Sequence, residues 1–216
     1  MVRIVTNNIG GLQEAWDWIF ELDVEILMIQ ETKLTTDKIS GKQLHGYEMG
    51  WHGVWEPALV TEKGGISGGI ATLVRQPILI AKGLNPGTHR WHRVSIQWTQ
   101  ATKLHIVNLY GFDCKQEGYL EKNEELHRSI GADLHTLGRV PWVVGGDWNM
   151  EPEQIEGTWE IGGEVVRTYQ LTHSHGKELD WFLTSRLMPI ADIMQVPEQP
   201  FVGHHAIQMN LKKPGD

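Results

Sequence analysis

The chain has 216 residues, 40% hydrophobic and 21% charged, a composition that excludes disorder and suits one sizeable folded domain over residues 1–216. Its formal net charge of −8 argues against sequence-blind binding of nucleic acid by charge alone, although a bound ion can supply positive charge locally. The single cysteine, Cys114, excludes an internal disulfide framework. With no signal-peptide pattern and no apolar run of membrane-spanning length, an intracellular, membrane-free monomer is expected.

Residues 2–6 read as a strand that ends in the turn Asn7-Asn8-Ile9-Gly10-Gly11. Leu12, Trp16, Ile19 and Phe20 recur at helical spacing over 12–21. An apolar strand over 24–29 ends on Gln30-Glu31-Thr32. A short helix is expected over 35–43, a strand over 47–51 and a loop over 54–65. The strand over 67–74 starts on glycines and is broken by Pro77, with 78–81 continuing beyond it. Residues 91–98 and 104–110 form a strand pair, and 119–137 is the longest helical stretch.

Residues 140–144 are an apolar strand that meets Gly145-Gly146 and hands over to Asp147-Trp148-Asn149. Extended residues two apart share a face, so Asp147 and Asn149 point one way and Trp148 points inward. A plain Asp/Asn turn after two glycines explains this stretch equally well. Residues 155–168 are glycine-rich and weakly patterned. Strand 178–184 sets Leu179, Trp181 and Leu183 on one face and Asp180 on the other. Residues 190–196 and 205–211 close the chain as strands, and 212–216 form a tail. Many strands with few helices predict two packed sheets flanked by helices.

Seven polar residues fall where strands end: Asn8, Glu31, Tyr110, Asp147, Asn149, Asp180 and His205. Their recurrence predicts one shared site at an edge of the sheets. The segments around them, Thr6-Asn7-Asn8-Ile9, Ile29-Gln30-Glu31-Thr32-Lys33, Asn108-Leu109-Tyr110, Gly146-Asp147-Trp148-Asn149, Leu179-Asp180-Trp181-Phe182 and Gly203-His204-His205-Ala206-Ile207, resemble the endonuclease/exonuclease/phosphatase superfamily. The resemblance runs from about residue 2 to 211 and is nearest to exonuclease III-like apurinic endonucleases and LINE-type retrotransposon endonucleases. It implies an α/β fold, a four-layer α/β/β/α sandwich of two packed mixed sheets flanked by helices, with the site at the top of the sheets. Two departures from the family pattern stand out. Gly10 stands where an Asp is frequent, and His204 stands where an Asp usually precedes the last His.

A phosphodiester resists attack because its oxygens are negative, so a site that cleaves it needs a cation and a positioned water. Glu31 with Asn8 would hold Mg²⁺, with Mn²⁺ as a substitute. Asp147 would orient or deprotonate the water, with Asn149 holding the phosphate. Asp180 would fix and charge the His205 ring, and Tyr110 would donate to a phosphate or leaving oxygen. Each has a plainer reading: a solvated strand end for Glu31, a structural Asp–His bond, a core tyrosine. Arg75, Arg90, Arg93, Lys33 and Lys115 are candidates for a phosphate-contacting rim, with Trp51, Trp55 or Trp91 stacking on bases. His175 and His204 are further substrate-binding candidates beside the groove. A zinc site among His173, His175, His204 and His205 is disfavoured, since neighbours in a strand face opposite ways. The expected function is a Mg²⁺-dependent DNA endonuclease of nicking or abasic-site type. The alternatives are an RNA, phosphoinositide or other small-phosphoester hydrolase, and a catalytically weak module that binds nucleic acid or protein.

Overall fold

The computed structural model describes residues 1–62, 64–155, 162–200 and 203–213. In chain order its elements are β1 (Val2–Asn8), α1 (Gln13–Glu21), β2 (Ile26–Gln30), α2 (Thr36–Glu48), β3 (Trp51–Glu56), β4 (Leu59–Val60), β5 (Ile66–Ser67), β6 (Ile70–Arg75) and β7 (Ile80–Lys82). There follow β8 (Trp91–Gln97), β9 (Lys103–Tyr110), α3 (Tyr119–Thr136), β10 (Trp142–Asp147), α4 (Pro152–Ile155), β11 (Glu164–Val166), β12 (Asp180–Thr184), β13 (Ile190–Gln195) and β14 (Ile207–Leu211). Two six-stranded mixed sheets result, ordered β13-β14-β1-β2-β6-β3 and β11-β12-β10-β9-β8-β7.

Strand alternation sorts the apolar residues into three cores, and these define the layers. Ile4, Ile26, Met28, Val94, Ile106, Val143, Phe182 and Met209 fill the space between the sheets. Val5, Leu27, Ile29 and Leu73 face outward onto Ala15, Trp16, Ile19 and Phe20 of α1. On the far side, Val107, Leu109, Val144, Trp148 and Trp181 pack against Leu126, Ile130 and Leu134 of α3. Helix, sheet, sheet and helix are thus stacked, as the sandwich reading expected.

Towards the end of the sandwich where β1, β2, β9 and β10 finish, the space between the sheets turns polar. Gln30 Nε2 lies 2.7 Å from Asn108 Oδ1 and 3.0 Å from Thr6 Oγ1, and Asn108 Nδ2 donates to the Ala71 and Ile29 carbonyls at 2.8 and 3.2 Å. All three side chains are fully buried. Satisfied amides of this kind tie one sheet to the other directly below the site.

Some boundaries differ from the sequence reading. The helix expected over 35–43 runs on to Glu48, so the strand expected over 47–51 starts only at Trp51. Gly41 and Gly46 weaken the helical pattern, yet Gly46 lets α2 approach Phe20, whose Cζ would lie 3.2 Å from an added Cβ. The loop expected over 54–65 holds the end of β3 and all of β4, and β1 extends through Asn8. The weakly patterned stretch contains β11; residues 156–161, like 214–216 of the tail, lie outside the described residues.

Candidate active site

Backbone register brings the key groups together. In the parallel β9–β10 pair Tyr110 is opposite Asp147, and in the antiparallel β10–β12 pair Asp147 is opposite Asp180. The three side chains therefore occupy one level on three neighbouring strands. Gly146, just before Asp147, has φ +149°, and a Cβ there would come within 1.9 Å of the Leu109 carbonyl oxygen. Glycine is what allows β10 to lie this close to β9. Trp148 turns inward, stacks on Trp181 with ring centres 3.8 Å apart, and donates to its carbonyl.

From the other sheet, Asn8 Nδ2 donates to Asp147 Oδ2 at 2.8 Å. Asn149 donates to the same oxygen from Nδ2 at 3.1 Å, and its backbone N–H meets Asp147 Oδ1 at 3.0 Å. Asp147 and Asn149 do meet, but through a turn rather than extended alternation: β10 ends at Asp147, Asn149 is left-handed, and its N–H bond to Asp147 Oδ1 is the Asp/Asn turn of the alternative reading. Glu31 and Asn149, each just past a strand end, have φ near +52° and +51°. That left-handed geometry is costly for residues with side chains and tends to gather at functional sites.

Asp147 and Asp180 are each about 1% exposed, and like charges facing across a ladder repel. The balancing charge comes from His204. Its Nδ1 donates to Asp180 Oδ2 at 2.9 Å, and its Nε2 lies 3.8 Å from Asp147 Oδ2. Burial works against the His204 charge, but Asp180, Asp147 and Glu31 outweigh it and raise its pKa to about 10. Burial, reinforced by Asp180, holds Asp147 above the ordinary carboxylate range despite the opposing pull of His204 and Asn8. Burial, with Glu31 and Asp147, also pushes the Tyr110 phenol up, so it keeps its proton. Glu31, at the end of β2, acts electrostatically on both Tyr110 and His204 and raises the pKa of each.

Asp147, Asp180 and His204 each offer a ligand atom, all within 4.8 Å of one another, a set able to hold a metal ion. An oxygen-rich donor set also suits a hard ion. Asp180 Oδ1 is buried without a hydrogen-bond partner among the described residues, and the 24% exposed Glu31 side chain has Lys33 at 3.4 Å. Asn8 suits this role less well than expected: its amide nitrogen is spent on Asp147 and its oxygen accepts the Gly10 N–H at 3.0 Å.

Several expectations need correction. The imidazole facing Asp180 is that of His204, whereas His205 is exposed and engages Thr172 through its backbone N–H. The expected strand began at 205, but β14 starts at Ile207, so alternation does not apply across the two histidines. The missing carboxylate before the site histidine is therefore at Gly203. Arg93 is bound to Asp133 through Nε and Nη2 at 2.6 and 3.2 Å beneath α3, so it cannot join a substrate rim. Arg75 donates to the Leu22 and Met49 carbonyls over the Trp51 ring. Trp51 and Trp91 are buried and cannot stack on bases, and Trp55 packs on Trp16. Arg90 does reach the site. Its guanidinium lies 4.6 Å from the Tyr110 ring centre and 4.5 Å from that of Phe112, and donates to the Gly111 carbonyl. His175 is exposed on the turn beside His204. Sequence reasoning missed Thr172, whose buried Oγ1 accepts the N–H groups of Leu179 and Asp180 at 2.8 and 2.9 Å and fixes the start of β12. A Thr seven to eight residues upstream of a strand gives no periodic signal.

The model of the Endonuclease/Exonuclease/phosphatase family matches residues 7–201. No curated protein matches the chain in sequence. Among solved structures the fold is similar to the AP endonuclease LMAP from Leishmania major, at 16% identity and TM-score 0.74, over 99% of this chain and 88% of that one. It is also similar to the APE2 catalytic domain of Xenopus laevis, at 15% identity and TM-score 0.72, over 98% and 92%. The endonuclease domain of TRAS1, a telomere-specific non-LTR retrotransposon, gives 17% identity and TM-score 0.68, over 98% of each chain. Among the described residues no helix is long and apolar enough to cross a membrane.

Proposed function

The chain belongs to the endonuclease/exonuclease/phosphatase family, and from that premise we propose that it hydrolyses phosphodiesters with the help of Mg²⁺ or Mn²⁺, with DNA as substrate and single-strand nicking or abasic-site cleavage as the outcome. The observation that carries this reading is the buried Asp147–Asp180 pair bridged by a charged His204, with Tyr110 opposite Asp147 on the neighbouring strand and Glu31 acting on the group electrostatically. Glu31 and Asp180, whose Oδ1 is buried without a hydrogen-bond partner among the described residues, are the residues that would hold the ion. When bound, it would neutralise phosphate charge and strengthen the attacked centre as an electrophile.

The protein's own groups divide the remaining work. Asp147, oriented by Asn8 and Asn149 and favoured as a proton acceptor by its raised pKa, takes a proton from the attacking water. His204, held charged by Asp180, donates to a phosphate oxygen and stabilises charge that grows in the transition state. Tyr110 keeps its proton and can supply it towards the leaving oxygen as the phosphorus–oxygen bond breaks. Arg90, immobilised between two rings, offers its remaining N–H groups to a neighbouring phosphate. The similar solved structures include two named AP endonuclease or APE2 and one named retrotransposon endonuclease, which supports DNA as the substrate.

A second reading, a hydrolase of small phosphoesters, is favoured by the net charge of −8 and by the engagement of Arg75 and Arg93 elsewhere. Supercoiled plasmid incubated with wild type in Mg²⁺, beside Asp147→Ala and His204→Ala, tests the proposal. Relaxed plasmid with wild type alone supports it. Intact plasmid together with turnover of a small phosphodiester would transfer the conclusion to the second reading.

A further inference from the structure

Residues 31–33, just past the end of β2, are held in an uncommon shape. Glu31 and Lys33 both have φ +52°, and Thr32 between them is buried. Thr32 and Lys33 donate their backbone N–H groups to the Gly69 and Gly68 carbonyls, each at 3.0 Å. Gly69, with φ +82°, lets this clamp close: a Cβ there would stand 2.4 Å from Thr32 Oγ1. Left-handed backbone at two residues with side chains is costly, and it persists here because the clamp imposes it.

A second glycine directs the Lys33 side chain. Its stem crosses Gly11, with φ +72°, where an added Cβ would come 2.7 Å from Lys33 Cδ, 2.9 Å from Cβ and 3.0 Å from Cγ. The stem thus lies along the turn between β1 and α1, and the ammonium ends 3.4 Å from Glu31 Oε1. Gly10 brings no side chain to this corner, and the place its Cβ would take is open within 4 Å. The Lys33 side chain is 40% exposed and that of Glu31 24%. An ion pair this wet adds little to stability, so stability does not account for the strained backbone that forms it.

We propose that Lys33 is a built-in counter-ion that competes with the divalent ion for Glu31 and so keeps the ion's affinity low. The proposal rests on the reading of Glu31 as an ion ligand. In the metal-free protein the ammonium neutralises the carboxylate. For Glu31 to bind an ion the Lys33 contact must break, and a positive charge then remains close to a doubly positive one. Both effects oppose binding. The flexible lysine stem lets the ammonium swing aside, so binding is weakened and not abolished.

The test is calorimetric titration of Mn²⁺ into the metal-stripped full chain at fixed ionic strength. Wild type is compared with Lys33→Met, Lys33→Arg, Lys115→Met and Glu31→Gln, with metal-free melting curves as the check on folding. Methionine keeps an unbranched stem over Gly11 and removes the charge. Lys115 is exposed on another loop and makes no ion pair with Glu31 among the described residues, so its replacement controls for net charge. Lys33→Met should bind Mn²⁺ at least about fivefold more tightly than wild type, and Lys33→Arg and Lys115→Met should stay within about twofold of it. Equal affinity in wild type and Lys33→Met would overturn the proposal, as would an equal gain in Lys115→Met or Lys33→Arg. Glu31→Gln separates the two levels: unchanged Mn²⁺ binding there would remove Glu31 from the ion site, so the underlying reading would fail and this proposal with it. None of these readouts requires phosphodiester cleavage.

Discussion

Replacement of His204 by Asn tests the electrostatic reasoning most directly, because it removes the one positive group set between two buried carboxylates. The folded-state pKa of about 10 lies above the ordinary value of 6.5. At about 1.4 kcal/mol for each tenfold change in proton affinity, the gap corresponds to roughly 5 kcal/mol in favour of the folded state. Since the folded value is raised, this stability is fully present below pH 6.5 and is lost as pH rises through about 10. Between pH 6 and pH 9 the wild type should therefore lose about 3 kcal/mol from this source. Urea unfolding in EDTA at both pH values measures the effect, with wild type, His204→Asn and His205→Asn side by side. Wild type and His205→Asn should show the decline, and His204→Asn should lack it. Plasmid nicking at pH 7.5 should fall by about 10²–10⁴ in His204→Asn and stay unchanged in His205→Asn. Superimposable pH profiles for wild type and His204→Asn would refute the account, because the imidazole would then not balance the carboxylates.

Asp147→Asn should abolish nicking and cost about 1–3 kcal/mol in urea unfolding, because the new amide nitrogen faces a donor that the carboxylate accepts from; unchanged stability would contradict this. Asn108→Leu removes the amide that links the two sheets and should cost about 2–4 kcal/mol in urea unfolding. Arg90→Ala should reduce the salt slope of DNA binding by about one, whereas Arg93→Ala should leave the slope alone and destabilise the fold by about 3–5 kcal/mol through the stranded Asp133. Chelation by EDTA should stop nicking, with activity restored by Mg²⁺ or Mn²⁺.

The layered architecture was legible because strand alternation and the helical stripe of Trp16, Ile19 and Phe20 report burial directly. Asp147, Asn149, Asp180 and Tyr110 were legible for a related reason: they mark strand ends, where the pattern breaks from apolar to polar. The choice between His204 and His205 was not legible. It depends on the conformation of two residues before β14, which no periodic pattern governs. The fate of Arg93 was equally hidden, since its partner Asp133 lies 40 residues away on α3. Composition shows that a cation exists, and only tertiary packing shows that it is already occupied.

The common level of Tyr110, Asp147 and Asp180 follows from the ladder bonds of three strands. Slippage of β10 by a single position would offer Gly146 or Trp148 in place of the acid, so the spacing is all-or-none. A candidate site gauged by the main chain in this way tolerates replacement of the surrounding side chains for as long as the strand register is kept.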